Sequence, residues 1–221
     1  MLKIEGEYYG SKSNTKVDGN QKSTVIKNLN MCSDLKHILK EYSNMDHLIH
    51  LQVRRCHNLI NVVASSTSFG NLTALRVWSC KGLTTVVTSS TAKSLVRLRE
   101  LSIDCCDMLT ELVIADEEEE TKDREIVFRE LKVLQLFYLE SLISFCSANY
   151  TLTFPSLEEL TVEECPKMKI FSGGKSSTPK LQKIKRNWKD KGCWKGDLNT
   201  TVKELHEEMR TERSRHNRRQ R

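Results

Sequence analysis

The segment Leu72-Thr-Ala-Leu75-Arg-Val77-Trp78-Ser-Cys80-Lys-Gly-Leu83-Thr-Thr-Val86 decides the fold. As a template it reads L-x-x-L-x-V-x-x-C-x-x-L-x-x-V. Without a gap, the same template fits Leu48, Leu51, Val53, Cys56, Leu59 and Val62 upstream. Downstream it fits Leu98, Leu101, Ile103, Cys106, Leu109 and Leu112, then Leu131, Leu134, Leu136, Leu139, Leu142 and Phe145. The last full copy is Leu157, Leu160, Val162, Cys165, Met168 and Phe171. A sixth begins at Leu181 and Ile184 and fails at Arg186, where an aliphatic residue belongs. First positions at 48, 72, 98, 131, 157 and 181 give steps of 24, 26, 33, 26 and 24 residues.

A period of this length builds one strand per turn of a solenoid, the signature of leucine-rich repeats. Residues two apart in a strand share a face, so Leu75 and Val77 point inward while Arg76 and Trp78 point out. One coil cannot bury its apolar side alone, so neighbouring coils must stack. The Cys position is a bend whose backbone groups turn inward and need partners. A small, weakly donating thiol fits there. The expected fold is an α/β solenoid: a horseshoe with a short parallel sheet on the concave side and irregular or short helical convex segments.

The 221 residues are 38% hydrophobic and 29% charged with net charge +6, which suits a single solenoid unit. No apolar run approaches eighteen residues, so no membrane partner is expected, and Met1 to Tyr9 has no signal-peptide core. The expected location is cytoplasmic, with reduced cysteines. Residues 1–24 are polar and expected to be poorly ordered. The solenoid is expected over 25–186, opening with a damaged repeat in which Ile26, Leu29 and Met31 match the template. No convincing cap precedes it, so the chain reads as cut from a longer array. Ser65–Phe69 and Ser89–Leu95 suit turns or a short hydroxyl-capped helix. Phe69, Leu95, Phe128 and Phe154 each lie three residues before a repeat's first Leu and are expected to plug the convex side. The lengthened step holds an acidic loop at 116–123, read as solvated.

A carboxy-terminal cap is expected at 187–209. There Asn199 can cap a helix whose Val202, Leu205 and Met209 form one stripe. The tail 210–221, rich in Arg, is expected to be disordered, and its lack of aromatic residues argues against a nucleic-acid partner.

Sites for chemistry are not found. Gly173-Gly174-Lys175-Ser176 resembles the end of a phosphate-binding loop, but Lys169 stands where that loop needs Gly. His206-Glu207 opens like a zinc-protease helix, but the second His position holds Arg210. No catalytic, cofactor or metal residues are assigned, and no enzyme is expected. What remains is the outward strand face. Its candidate partner-binding residues are Gln52, Arg54, Arg76, Trp78, Ser102, Asp104, Gln135, Phe137, Thr161 and Glu163. The row runs from basic to acidic, with two aromatic residues at positions expected to face water, the ingredients of a binding hot spot.

Three stretches, "LTALRVWSCKGLTTVV", "FPSLEELTVEECPKMKIFSGG" and "TPKLQKIKRNW", together with the closing "GCWKGDLNTTVKELHEEM", resemble the carboxy-terminal leucine-rich repeats of plant disease-resistance proteins of the coiled-coil, nucleotide-binding class. The resemblance covers roughly residues 25–209. It implies an intracellular immune receptor whose repeats recognise a pathogen effector or a guarded host protein and hold a nucleotide-binding domain inactive. ATP binding is not carried over, because this chain shows no phosphate-binding loop. The expected function is therefore a protein-interaction module of plant immunity with a protein partner. The alternatives are an autoinhibitory repeat fragment that contacts a nucleotide-binding domain, or a degenerate fragment without activity of its own.

Overall fold

The computed structural model describes residues 25–32, 47–62, 69–116, 125–187 and 189–219, without the side chains of 25–27 and 212–219. In chain order the elements are β1 (Val25–Asn30), β2 (Leu48–Arg54), β3 (Ala74–Trp78), β4 (Thr85–Thr88), α1 (Ser89–Ser94), β5 (Glu100–Asp104) and β6 (Glu111–Ile114). They continue with β7 (Glu125–Val127), β8 (Val133–Phe137), β9 (Thr151–Thr153), β10 (Glu159–Glu163), β11 (Ser176–Ser177), β12 (Ile184–Lys185) and α2 (Leu198–Arg219).

Every template copy supplies one strand to a seven-stranded sheet, ordered β1-β2-β3-β5-β8-β10-β12, in which all neighbours run parallel. Leu51, Leu75, Leu101, Leu134 and Leu160 pair in one line, and Val53, Val77, Ile103, Leu136 and Val162 in the next. All ten are buried. Each such side chain removed from water contributes roughly 1.5–3 kcal/mol, and stacking multiplies the gain along the array. The return arcs are more ordered than the sequence suggests. They carry two further parallel sheets, β4-β6 and β11-β9-β7, where irregular or helical segments were expected. Their short apolar pairs, Val87 with Val113 and Ile126 with Leu152, repeat in register just as the main strands do. Among the described residues only Ser89–Ser94 is a convex helix, and its hydroxyl cap is the expected kind: Thr88 Oγ1 accepts from the Thr91 N–H.

The bend that ends each rung explains the cysteines. Met31, Arg55, Ser79, Cys105, Tyr138 and Glu164 all take φ between 49° and 55°, the left-handed region. For a residue with a Cβ this costs about 1–2 kcal/mol. The strain is offset because at five of the six the turn aims the N–H at the next rung. Met31 donates to the Arg54 carbonyl (3.0 Å), Arg55 to Trp78 (2.9 Å), Ser79 to Asp104 (2.9 Å) and Tyr138 to Glu163 (2.9 Å). One residue later the thiol turns back to its own strand end. Cys56 donates to the Arg54 carbonyl (3.4 Å), Cys80 to Trp78 (3.6 Å), Cys106 to Asp104 (3.4 Å) and Cys165 to Glu163 (3.5 Å). All eight cysteines are free thiols. Hydrogen bonding to Cys106 and burial push Cys80 up to about 12, and burial pushes Cys165 up to about 12.

The same geometry corrects the frame of the first rung. Met31, taken from the sequence as a template residue, is the left-handed residue of the bend and is largely exposed. Cys32 follows it and donates to the Asn30 carbonyl, so it is a further bend cysteine. Leu29 pairs with Val53 and is buried.

Phe69, Leu95, Phe128 and Phe154 are buried as expected. Phe128 and Phe154 stack at 5.1 Å, Phe145 and Phe171 stack at 5.1 Å, and edge-to-face contacts of 5.7 and 6.0 Å tie the pairs into one spine. The two glycines of the phosphate-loop look-alike belong to this packing. A Cβ on Gly173 would collide with the Ser147 carbonyl, and one on Gly174 with that of Tyr150. Glycine stands there because adjacent rungs touch backbone to backbone.

The carboxy-terminal end is closed by two devices. Cys193 runs antiparallel to Ile184, with N–H to carbonyl bonds of 2.8 and 2.9 Å in both directions, so the edge of β12 is covered. Helix α2 covers the rest with Leu198, Val202 and Leu205, all buried. Its cap is Asp197, which accepts from the Thr200 N–H (2.9 Å) and hydroxyl (2.6 Å). Asn199, expected as the cap, lies inside the first turn and reaches back instead. Its Oδ1 accepts from the N–H groups of Phe171 (2.8 Å) and Ser172 (2.9 Å), and its Nδ2 donates to the Ser172 carbonyl (2.9 Å). A side-chain amide thus takes the place of a next rung's backbone. The helix runs on to Arg219, where a disordered tail was expected from 210. No Gly or Pro occurs after Asp197 to stop it. Residues 1–24, Ser65–Ser68, Trp188 and most of the acidic loop lie outside the described residues. Of that loop, Asp116 is described: it accepts from Ser89 Oγ and the Ser90 N–H, both at 2.7 Å. Burial pushes its carboxyl up, but these donors outweigh it and hold it below the ordinary value.

Candidate interaction face

Pairing register, not sequence spacing, sets which outward side chains meet. One line across the sheet is Asn28, Gln52, Arg76, Ser102, Gln135, Thr161 and Lys185. The line beside it is Asn30, Arg54, Trp78, Asp104, Phe137 and Glu163. The ten residues singled out from the sequence therefore do assemble into two adjacent columns on one face. At about 4.8 Å per strand, the six steps of the sheet span roughly 29 Å.

Trp78 stands at the centre of the basic end and is 39% exposed. Two guanidinium groups lie over its ring, those of Arg54 at 5.3 Å and Arg55 at 5.7 Å from the centroid. Arg76 behaves differently. It forms a two-point bond to Glu100, Nε to Oε1 and Nη2 to Oε2, both 2.6 Å. Those bonds raise its already high pKa. Its charge is thus largely balanced within the face. Glu100, which the sequence reading did not name, occupies a third outward column beside these two.

At the other end Phe137 is half-buried, and Tyr138 beside it is exposed and donates its hydroxyl to Glu163 Oε1 (3.3 Å). The charge of Glu163 and that hydrogen bond raise the phenol's pKa. Thr161 departs from the expected surface. It lies in the outward column but is buried. It forms the floor of a shallow hollow walled by Gln135, Phe137, Glu159, Glu163 and Lys185, and those longer side chains cover it. Lys185 also puts a cation at the acidic end, so the run from basic to acidic is less clean than the sequence suggests.

Between the two aromatic residues sits Asp104, paired in register with Trp78 on one side and Phe137 on the other. Its Oδ1 is buried and has no hydrogen-bond partner among the described residues. Its neighbour Cys105, at the left-handed bend, is pushed up to about 11 by burial and by the Asp104 carboxylate. The face therefore offers one stacked aromatic–guanidinium group, one carboxylate short of a donor, and one aromatic–carboxylate group.

Among the described residues, no group of three or more His, Cys, Asp or Glu side chains could hold a metal ion. No helix there is long and apolar enough to cross a membrane. A comparison with protein families matches residues 61–186, more than half of the chain, to the leucine-rich repeats of RPS2-like plant disease resistance proteins. Neither the curated proteins nor the solved structures give a match.

Proposed function

The chain belongs to the leucine-rich-repeat family of RPS2-like plant disease resistance proteins, and on that premise we propose that it is a protein-recognition module of plant defence working through its concave sheet. The partner is a pathogen effector or a host protein, met in the cytoplasm, and the parent architecture is that of a coiled-coil, nucleotide-binding receptor. The observation that carries the proposal is the register-aligned column Arg54, Trp78, Asp104, Phe137 and Glu163. A guanidinium-stacked indole, a carboxylate with one unpartnered buried oxygen and a half-buried ring lie on neighbouring strands of one sheet. Aromatic and Arg side chains grouped in this way dominate binding energy at protein interfaces, and a buried carboxylate oxygen gains most from a donor supplied by a partner. Repeat folds of this family typically carry no enzymatic activity, which agrees with a recognition role.

The test is affinity capture from plant extract with the wild-type chain and with Trp78→Ala plus Phe137→Ala. Proteins retained by the wild type and lost from the double variant support the concave face. Equal recovery by both removes that face from the proposal. A second reading rests on the acidic run whose first residue, Asp116, is tied to Ser89 and Ser90. Such a run, anchored at its root, suits contact with a basic surface of a nucleotide-binding domain. Co-expression with such a domain, with and without residues 117–123, separates the two readings.

A further inference from the structure

A cleft of about 330 Å³ lies where helix α2 crosses the arc that follows β10, lined by Pro166, Lys169, His206, Met209 and Arg210. None of its lining residues belongs to the concave columns. From these residues we propose that the cleft is a binding site for a phosphate monoester carrying a small apolar body.

Three observations lead there. First, the lining holds three nitrogen-bearing side chains and no carboxylate. Of the acids on the same helix, Glu204 pairs with Lys195 at 2.7 Å and Glu208 with Arg186 at 3.5 Å. Second, His206 is 6% exposed yet makes no hydrogen bond among the described residues. Buried polar groups are nearly always satisfied, and an exception asks for a missing partner. Its side chain is one of those that line this cleft, which is where a partner can reach it. Third, Pro166 and Met209 supply apolar wall beside the nitrogen donors, and the volume falls at the lower end of small-molecule sites. Nitrogen donors from two elements can be shared among the three terminal oxygens of a phosphate monoester, where a carboxylate offers two. The apolar wall takes the ester's body.

The site is assembled by the capping of the solenoid. The same contacts that seat Leu198, Val202 and Leu205 on the core set His206 one turn along, against the Pro166–Lys169 arc. A ligand there would bridge the last full rung and the helix, so it binds only the capped form and stabilises it.

The experiment is calorimetric titration of the full chain with phenyl phosphate, in parallel with inorganic phosphate and benzoate, at fixed ionic strength. The expected result is saturable binding of phenyl phosphate at about 1 mM or tighter, with both other probes weaker. Lys169→Met, an exposed change, weakens binding about tenfold, the loss expected for one charge-assisted hydrogen bond. Lys203→Met, on the same helix outside the cleft, leaves it unchanged. The ¹H–¹⁵N ring signals of His206 in the wild-type protein shift on saturation, a readout that needs no altered protein. No saturable binding, equal loss in Lys203→Met, benzoate binding as tightly as phenyl phosphate, or unmoved His206 signals would each overturn the assignment.

Discussion

Replacing Asn199 with Ala tests whether a single amide seals the end of the solenoid. The side chain makes three hydrogen bonds of 2.8, 2.9 and 2.9 Å to backbone groups of Phe171 and Ser172. Both residues are essentially inaccessible, at 0% and 1% exposure, so water does not readily take over. Leaving a buried backbone group unpaired costs about 1–3 kcal/mol. Three such groups, partly relieved by slippage of α2, put the loss near 3 kcal/mol, against a total of roughly 5–15 kcal/mol for a domain. With a urea slope of about 2–3 kcal/mol/M, the midpoint falls by roughly 1 M. Asn199→Asp separates hydrogen bonding from shape. It keeps the two acceptor bonds but sets an oxygen against the Ser172 carbonyl, so its loss is smaller, about 1–2 kcal/mol. Urea denaturation followed by far-ultraviolet circular dichroism reads all three proteins. A midpoint for the Ala variant within about 0.3 M of wild type, or an Asp variant less stable than Ala, refutes the account of the amide as a surrogate rung.

Phe154 touches Phe128, Phe145 and Phe171, so Phe154→Ala should destabilise by about 3–5 kcal/mol in the same assay. Gly82→Ala drives a Cβ into the His57 carbonyl of the preceding rung, where backbone cannot yield. Thermal melting should show a loss of about 1–3 kcal/mol at a position whose φ is unremarkable. Stability should also fall in alkali. The Cys80 and Cys165 thiols are raised to about 12 and Cys146 to about 11, against an ordinary 9.0, so they stay protonated in the folded chain while the unfolded chain loses those protons. Their contribution is complete below pH 9 and is lost as pH climbs toward those values, by up to about 1.4 kcal/mol per thiol and pH unit. Denaturation midpoints at pH 8, 9 and 10 read the slope, and a flat profile counts against the buried-thiol picture.

The strands were visible in the sequence because a stacked fold writes the same spacing again and again. A template taken from Leu72 to Val86 locates β2, β3, β5, β8 and β10 from local information alone. What escaped depends on partners far along the chain. The capping role went to Asp197 because Asn199 had backbone to satisfy on a rung some 27 residues away. The left-handed bends do not announce themselves either, since none of the six is Gly. On the concave face, which residues point outward was legible. The pairing of Arg76 with Glu100 and the covering of Thr161 were not, because both follow from inter-strand register and side-chain reach.

The six left-handed residues have a consequence for how such a surface can diversify. Met, Arg, Ser, Cys, Tyr and Glu all occupy the same turn, and none of them belongs to the core. Almost any side chain is therefore tolerated at a comparable conformational penalty, while at five of the six a neighbouring thiol and its carbonyl bond hold the corner steady. This rim can be rewritten letter by letter with little effect on the architecture beneath, a set of nearly independent dials on a fixed frame.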